Sequence, residues 1–418
     1  MKTSSFFLGL VRKGKFFFYA VIVEKGVYFL VYVYLARVTT VAQYGELMAT
    51  FVFANILNAV FEFGFAPYIQ REAASKASSL TKQLGVVTLF KLVGFLPYAF
   101  FTILYFLIAG TTNPAAVILI SLALYISNIG RIFSGVFFGL DRYNNSFYAL
   151  LFSRVVIFAG IGILFFTTAE PWVVLLLLLC AMILQGVFLL RDLNGVHIPL
   201  SLDFDFALLK SIMKSSLPIG IGILCVWVYD KLDVLLINHF LGSESVSYYA
   251  VAYSIYKMPQ ILTGVVLVPL FTSFSNRYSI EKYLSVKEIA KPAVILLALS
   301  VIMILACTLF PELILKVTYG EKYAGAAWIL SSLAPALPGL FLNNLTGVVL
   351  NSVRNERKAM SSAIYAFLLN VSMNIILLPV IGLRAAVLAT VCVEYFILGI
   401  QLVYLKKSKS ILWRQITS

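Results

Sequence analysis

Histidine and cysteine are scarce in this chain: two histidines, His197 and His239, and four cysteines, Cys180, Cys225, Cys307 and Cys392, are spread over 418 residues. All four cysteines sit inside apolar runs with no short spacing between them, which leaves neither a disulfide framework nor a zinc ligand set. Metal catalysis therefore has no residues to work with, and no metal site is expected. A GxxxxGK(S/T) phosphate loop is also missing, so the chain itself does not hydrolyse a nucleotide. No nucleophile stands in a motif beside a base, and no catalytic residue is assigned. Charge is in short supply as well: 12% of residues are charged and 61% hydrophobic, about half the charge of a soluble domain. That much apolar surface cannot be hidden in one core, so lipid must serve as solvent. The basic start MKTSSFFLGLVRKGK lacks a cleavage site of small residues, and the apolar run behind it is too long for a signal-peptide core. It reads as a retained cytoplasmic segment.

Apolar stretches near 20 residues, long enough to cross about 30 Å of hydrocarbon as helices, are marked off by glycine, proline and charge clusters. Twelve spans result: 16–36, 44–68, 84–109, 115–138, 147–168 and 171–190, then 217–240, 246–272, 292–310, 326–350, 359–380 and 384–405. Cytoplasmic loops should hold most lysines and arginines. With this partition only Arg37, Lys316, Lys322 and Arg384 fall on the far side. Both termini are therefore expected in the cytoplasm, in a multi-pass protein of the cytoplasmic (inner) membrane. The net charge of +14 is mostly this topology signal. Its cations are spread over separate segments, which argues against a nucleic-acid partner.

The longest polar connection, residues 191–216, reads as a cytoplasmic linker between an amino-terminal six-helix lobe, 1–190, and a carboxy-terminal one, 217–418. SGVFFGLDRY at 134–143 matches TGVVLNSVRN at 346–355, pairing Gly135 with Gly347 and Arg142 with Arg354 at an offset of 212. Glu24-Lys25 before Tyr44-Gly45 is echoed by Asp230-Lys231 before Tyr249-Ala250. A duplication follows. Six spans per copy is an even number, so both copies enter from the same side and the repeats are parallel, the arrangement in which access alternates as one lobe rocks against the other. The expected fold is an all-α membrane protein of twelve transmembrane helices in two six-helix lobes related by a parallel pseudo-two-fold axis.

An ionisable group at mid-bilayer costs at least ~2.5 kcal/mol, so it normally faces water or a partner. At ~1.5 Å per residue, Glu62, Lys91, Arg131 and Arg154 lie about 10 Å from the cytoplasmic ends of their helices. Lys25 is a little deeper; Asp230, Lys231, Asp233 and Lys257 lie farther towards the outer half. Glu24, Lys25, Tyr28 and Tyr32 share one face of the first span, and Trp227, Asp230, Lys231, Val234 and Asn238 one face of the seventh. These faces are expected to line a water-filled vestibule between the lobes. Neighbours in a helix do not face each other, so the partners of Glu24, Lys25, Asp230 and Lys231 are expected on other helices. Lys25, Lys91, Arg131, Arg154, Lys231 and Lys257 are the candidate contacts to an anionic substrate, since ammonium and guanidinium groups in a low-dielectric groove attract phosphate or carboxylate. Glu24, Glu62, Asp230, Asp233 and Glu394 are the candidate counter-ions or ion-coupling groups.

VAQYGELMATFVFANILNAVFEFGFAPYIQREAA at 41–74 resembles the second-helix region of bacterial polysaccharide repeat-unit (O-antigen or capsule) flippases, with Tyr44-Gly45, Gly64-Phe65 and Arg71. LPIGIGILCVWVYDKLDVLLINHFLGSESVSYYAVAY at 217–253 is similar to that family's seventh helix and the start of its eighth; YGEKYAGAAWILSSLAPAL and NVSMNIILLPVIGLRAAVLATVCVEY resemble the tenth to twelfth. The family sits in the multidrug/oligosaccharidyl-lipid/polysaccharide exporter superfamily. The resemblance implies a V-shaped bundle that moves an undecaprenyl-pyrophosphate-linked oligosaccharide from the inner to the outer leaflet by alternating access, its cationic cavity residues falling on Lys25, Arg131, Arg154 and Lys231. Expected partners are then a lipid-linked oligosaccharide, membrane lipids and a polysaccharide polymerase complex. No cofactor is expected beyond a coupling proton or sodium ion. An ion-coupled multidrug exporter of the same superfamily is the alternative; a non-transporting component of a polymer-synthesis complex is a third.

Overall fold

The computed structural model describes residues 2–75, 79–166, 170–202, 204–408 and 410–412. The tail after 412, expected in the cytoplasm, residues 76–78 between the second and third expected spans, residues 167–168 at the end of the expected span 147–168, and linker residue 203 lie outside the described residues. The chain forms two compact units, Met1–Trp227 and Val228–Ser418. Among the described residues eleven helices are long and apolar enough to cross a membrane.

The first unit opens with α1 (Lys2–Val38), one helix that joins the basic start to the first span without a break. Thr40 then caps α2 (Val41–Glu62) in a reciprocal box with Gln43, which satisfies two otherwise orphaned backbone groups. The expected span 44–68 is interrupted. Phe63 and Gly64 both adopt positive φ, 53° and 73°, and the chain restarts as α3 (Phe65–Ala74). Glycine is needed there for space as well as for conformation: a Cβ on Gly64 would stand 2.4 Å from the Ser216 carbonyl oxygen, and one on Gly220 would stand 2.6 Å from the Phe63 carbonyl carbon. Four long helices complete the set, α4 (Leu80–Ala109), α5 (Pro114–Gly139), α6 (Tyr143–Leu164) and α7 (Pro171–Gly195). α5 is the hub, packing on α3 and α7. Phe65, Ile69, Leu84, Ile132, Val136 and Phe137 form the heart of this core. On α4, Val93, Leu96, Phe100, Leu107 and Ile108 are more than half exposed, an apolar face suited to lipid tails.

The expected linker is largely helical. Asp205 caps α8 (Phe206–Leu241), accepting from the Leu208 amide at 2.9 Å and from Lys82 at 2.7 Å; the lysine contact holds its carboxyl below the usual range. Leu209 and Ile212 on the first turns of α8 are buried in the first unit's core. The boundary between the two units falls within this helix.

The second unit continues with α9 (Ser243–Lys257) and α10 (Gln260–Glu281), so the expected span 246–272 is also broken. Pro259 lies at the break and has no N–H to give to the helix. α11 (Val286–Leu309) follows, then the short α12 (Pro311–Thr318). The expected span 326–350 is a composite: a 3-10 turn at Glu321–Ala326, α13 (Ala327–Leu333), a second 3-10 turn and α14 (Leu337–Ser352). α15 (Glu356–Ile381) and α16 (Leu383–Lys406) close the unit and pack on each other, with α16 also against α14.

The order of elements repeats: a long helix, a broken helix, then four further spans. The ends of α5 and α14 have the same backbone pattern, but not in the register the sequence match suggested. Asp141 and Arg354 take positive φ, 61° and 58°. Arg142 N donates to Phe137 O and Asn355 N to Leu350 O, both at 2.8 Å. This six-to-one closure after a left-handed residue ends a helix cleanly, and it sets the offset at 213, so Arg142 corresponds to Asn355. Gly135 and Gly347 are correspondingly unlike. A Cβ on Gly135 would stand 2.7 Å from Ala66 O, where α5 crosses α3, whereas one on Gly347 meets nothing within 4 Å.

Candidate functional site

Four cations and two acids lie at span depth in the first unit. Arg154 on α6 is 1% exposed. Its guanidinium donates to Glu24 Oε1 on α1 at 3.3 Å, Gln185 Oε1 on α7 at 3.3 Å and Ser153 Oγ at 3.1 Å, and it lies 5.3 Å from the centre of the Tyr28 ring. Its Nε atom has no partner. Lys91 on α4 is also 1% exposed. Its ammonium donates to Phe61 O at 2.6 Å and Asn128 Oδ1 at 2.5 Å. Phe61 is two residues before the α2 break, where carbonyls lose their helical partners. A non-helical backbone at membrane depth persists only where such groups are satisfied by protein. Lys91 and Arg154 were expected on a water-facing wall; both are internal braces instead, Lys91 at the helix break and Arg154 across α1, α6 and α7.

Arg131 on α5 differs. Its side chain is 45% exposed, and its one ion pair among the described residues is a 3.7 Å contact to the buried Glu62 at the end of α2. Lys25 is exposed and has no ion-pair partner among the described residues. A charge so exposed at this depth would be costly in hydrocarbon, so the surroundings of Arg131 and of Lys25 are each suited to water or to an anion.

The second unit is built around tyrosines on α9. Tyr249, Tyr253 and Tyr256 recur at helical spacing, and the centre of the Tyr253 ring lies 5.1 Å from the Lys231 ammonium and 5.4 Å from that of Lys257. Asp230 binds both lysines, Lys231 at 3.2 Å and Lys257 at 3.1 Å, and accepts from the Tyr253 hydroxyl at 3.2 Å. The Asp230–Lys231 pair corrects the expectation that adjacent residues find partners only elsewhere. Their Cβ atoms diverge by about 100°, but the lysine stem is long enough to swing back towards Tyr253. Lys257 reaches on to Glu394 on α16 at 3.9 Å. Asn343 on α14 donates to both Glu394 Oε2 and Glu394 O at 2.7 Å, at a crossing where a Cβ on Gly339 would lie 3.1 Å from Glu394 Cβ. Asp233 lies within electrostatic reach of Lys231 and Asp230. It accepts from the Tyr249 hydroxyl, which also contacts Thr390 Oγ1 at 3.3 Å.

The candidate cations are divided between the two units. The first unit holds Lys25, Lys91, Arg131 and Arg154 against Glu24 and Glu62. The second holds Lys231 and Lys257 against Asp230, Asp233 and Glu394, so its lysines are neutralised. Asn128, Gln185, Asn343, Thr390 and the α9 tyrosines escaped the sequence reading. An uncharged polar residue in an apolar run was the signal for most of them.

The fold is one already seen in solved transporters. It matches an inward-facing multidrug resistance MATE family transporter of the MOP superfamily with a TM-score of 0.66 at 14% identity, covering 90% of this chain and 92% of that one. The match to the lipid II flippase MurJ, in an inward closed conformation, has a TM-score of 0.68 at 16% identity over 95% of this chain and 88% of that one. A MOP superfamily transporter from Pyrococcus furiosus, described as having a binding pocket of reverse polarity, matches at 0.66 and 13% identity over 95% and 94%. The chain is a multi-pass membrane protein with the fold of MOP superfamily transporters. Within it, the family model described as polysaccharide biosynthesis protein matches residues 10–275, more than half of the chain. The chain belongs to that family. The MatE model matches residues 218–376. An uncharacterised membrane protein of Methanocaldococcus jannaschii is 23% identical over 385 residues, 86% of this chain and 69% of that one.

Proposed function

We propose that this protein is a flippase that carries an undecaprenyl-pyrophosphate-linked oligosaccharide repeat unit from the inner to the outer leaflet of the cytoplasmic membrane by alternating access, with both termini in the cytoplasm. The observation that carries the reading is Arg131, an exposed guanidinium at span depth with one loose counter-ion among the described residues. Together with Lys25 it offers a positive surface to a pyrophosphate, which a planar guanidinium binds with two parallel hydrogen bonds. Membership of the polysaccharide biosynthesis family and the shared fold with a lipid II flippase support the same cargo class. Asp230, Asp233 and Glu394 are the groups proposed to couple a proton or sodium ion, and a polysaccharide polymerase complex is the proposed recipient of the product.

A second reading, an ion-coupled multidrug exporter, is favoured by the MatE match over residues 218–376, which contain Asp230, Asp233 and Lys257. Deleting the gene separates the two. The flippase reading requires lipid-linked oligosaccharide to accumulate on the cytoplasmic side and surface polymer to fall, with drug tolerance unchanged. Lost drug tolerance with normal polymer would reject it.

A further inference from the structure

A polar pocket of about 170 Å³ lies within the first unit, at the end opposite Lys2, where the end of α1, the start of α2, the α4–α5 turn and the start of α7 meet. Gln43, Glu46, Thr111, Thr112, Glu170 and Trp172 are among its lining residues, with no lysine or arginine. Glu46 Oε2 is tied to the turn by the Thr112 amide at 3.0 Å and the Thr112 hydroxyl at 2.8 Å. Thr111 is 9% exposed, and its hydroxyl has no hydrogen-bond partner among the described residues. A buried hydroxyl without a partner costs free energy unless a ligand supplies one. Trp172 leaves 45% of its surface exposed beside these groups.

Each feature narrows the ligand. Carboxylates without a cation repel phosphate. Among the described residues no cluster of three or more histidine, cysteine or acidic side chains exists to hold a metal ion. Carboxylate, amide and hydroxyl groups together accept from and donate to hydroxyls, and an exposed indole offers a flat apolar face with a polar edge. A pyranose presents that combination, hydroxyls at its rim and C–H groups on its face.

We propose that this pocket binds one neutral sugar ring. The inference stands on the pocket's own chemistry and does not require the flippase reading, because binding of free sugar involves no transport. The test uses the full-length protein in lipid nanodiscs with a panel of methyl glycosides of neutral hexoses and N-acetylhexosamines, read by saturation-transfer NMR and tryptophan fluorescence. At least one glycoside binds saturably, and Trp172→Ala and Thr111→Val each weaken it about tenfold, while Trp328→Phe leaves it unchanged. Thr111→Val keeps the shape of the side chain, so its effect reports the lost hydroxyl rather than misfolding. Binding of none of the glycosides, binding that both variants leave intact, or binding of calcium alone would overturn the proposal.

Discussion

The Lys257 ammonium is joined to Asp230 at 3.1 Å and stands 3.9 Å from Glu394, so one cation serves two acids on different helices. Asp230 keeps Lys231 if Lys257 is lost, but Glu394, only 5% exposed at its side chain, loses its cation and keeps the Asn343 amide. Removing one partner of a buried ion pair costs about 3–5 kcal/mol. Lys257→Met should therefore lower the thermal unfolding midpoint of the purified protein sharply, and adding Glu394→Gln should recover most of the loss. A double variant no more stable than Lys257→Met alone would show that the pair is not coupled.

The Arg154–Glu24 pair predicts an unequal response. Arg154 is 1% exposed and Glu24 44%. Glu24→Gln strands a guanidinium without its counter-ion and should cost about 3 kcal/mol. Arg154→Met leaves a carboxylate that can hydrate, and Ser153 and Gln185 still bond each other at 3.2 Å; its cost should be about 1 kcal/mol, the scale of a lost hydrogen bond. Thermal unfolding of both variants checks the order, and a reversed order would mean that water reaches Arg154.

Much of the architecture could be read from one sequence because lipid imposes long apolar runs and cytoplasmic loops collect cations. The breaks at Phe63–Gly64 and at Met258–Pro259 were not read, because hydropathy averages over them and the features that stabilise them are remote: Lys91 reaches Phe61 from α4, and Gly220 makes room for Gly64 from α8. The charged residues were legible as exceptions in apolar segments. Which of them are dry was not, since the Glu24–Arg154 and Lys257–Glu394 contacts depend on packing between segments more than 100 residues apart.

The two glycines matched in sequence should respond differently to alanine. Gly135→Ala must displace backbone at Ala66 O, and overpacking of this kind costs about 1–3 kcal/mol. Gly347→Ala meets open space within 4 Å, and in a helix the change should be neutral or stabilise by up to about 1 kcal/mol. Yields of folded protein and unfolding midpoints for both variants provide the comparison; equal losses would contradict the difference in packing at the two glycines.

Arg131 carries the central claim, and the direct measurement is the rate at which proteoliposomes move a fluorescent undecaprenyl-pyrophosphate-linked oligosaccharide between leaflets. Arg131→Gln should insert and fold normally yet slow movement about tenfold, the loss expected when one charge-assisted contact worth ~1.4 kcal/mol disappears. Arg131→Lys should keep the charge without the two-pronged geometry and fall between the two. Movement by Arg131→Gln at the full wild-type rate would contradict the account.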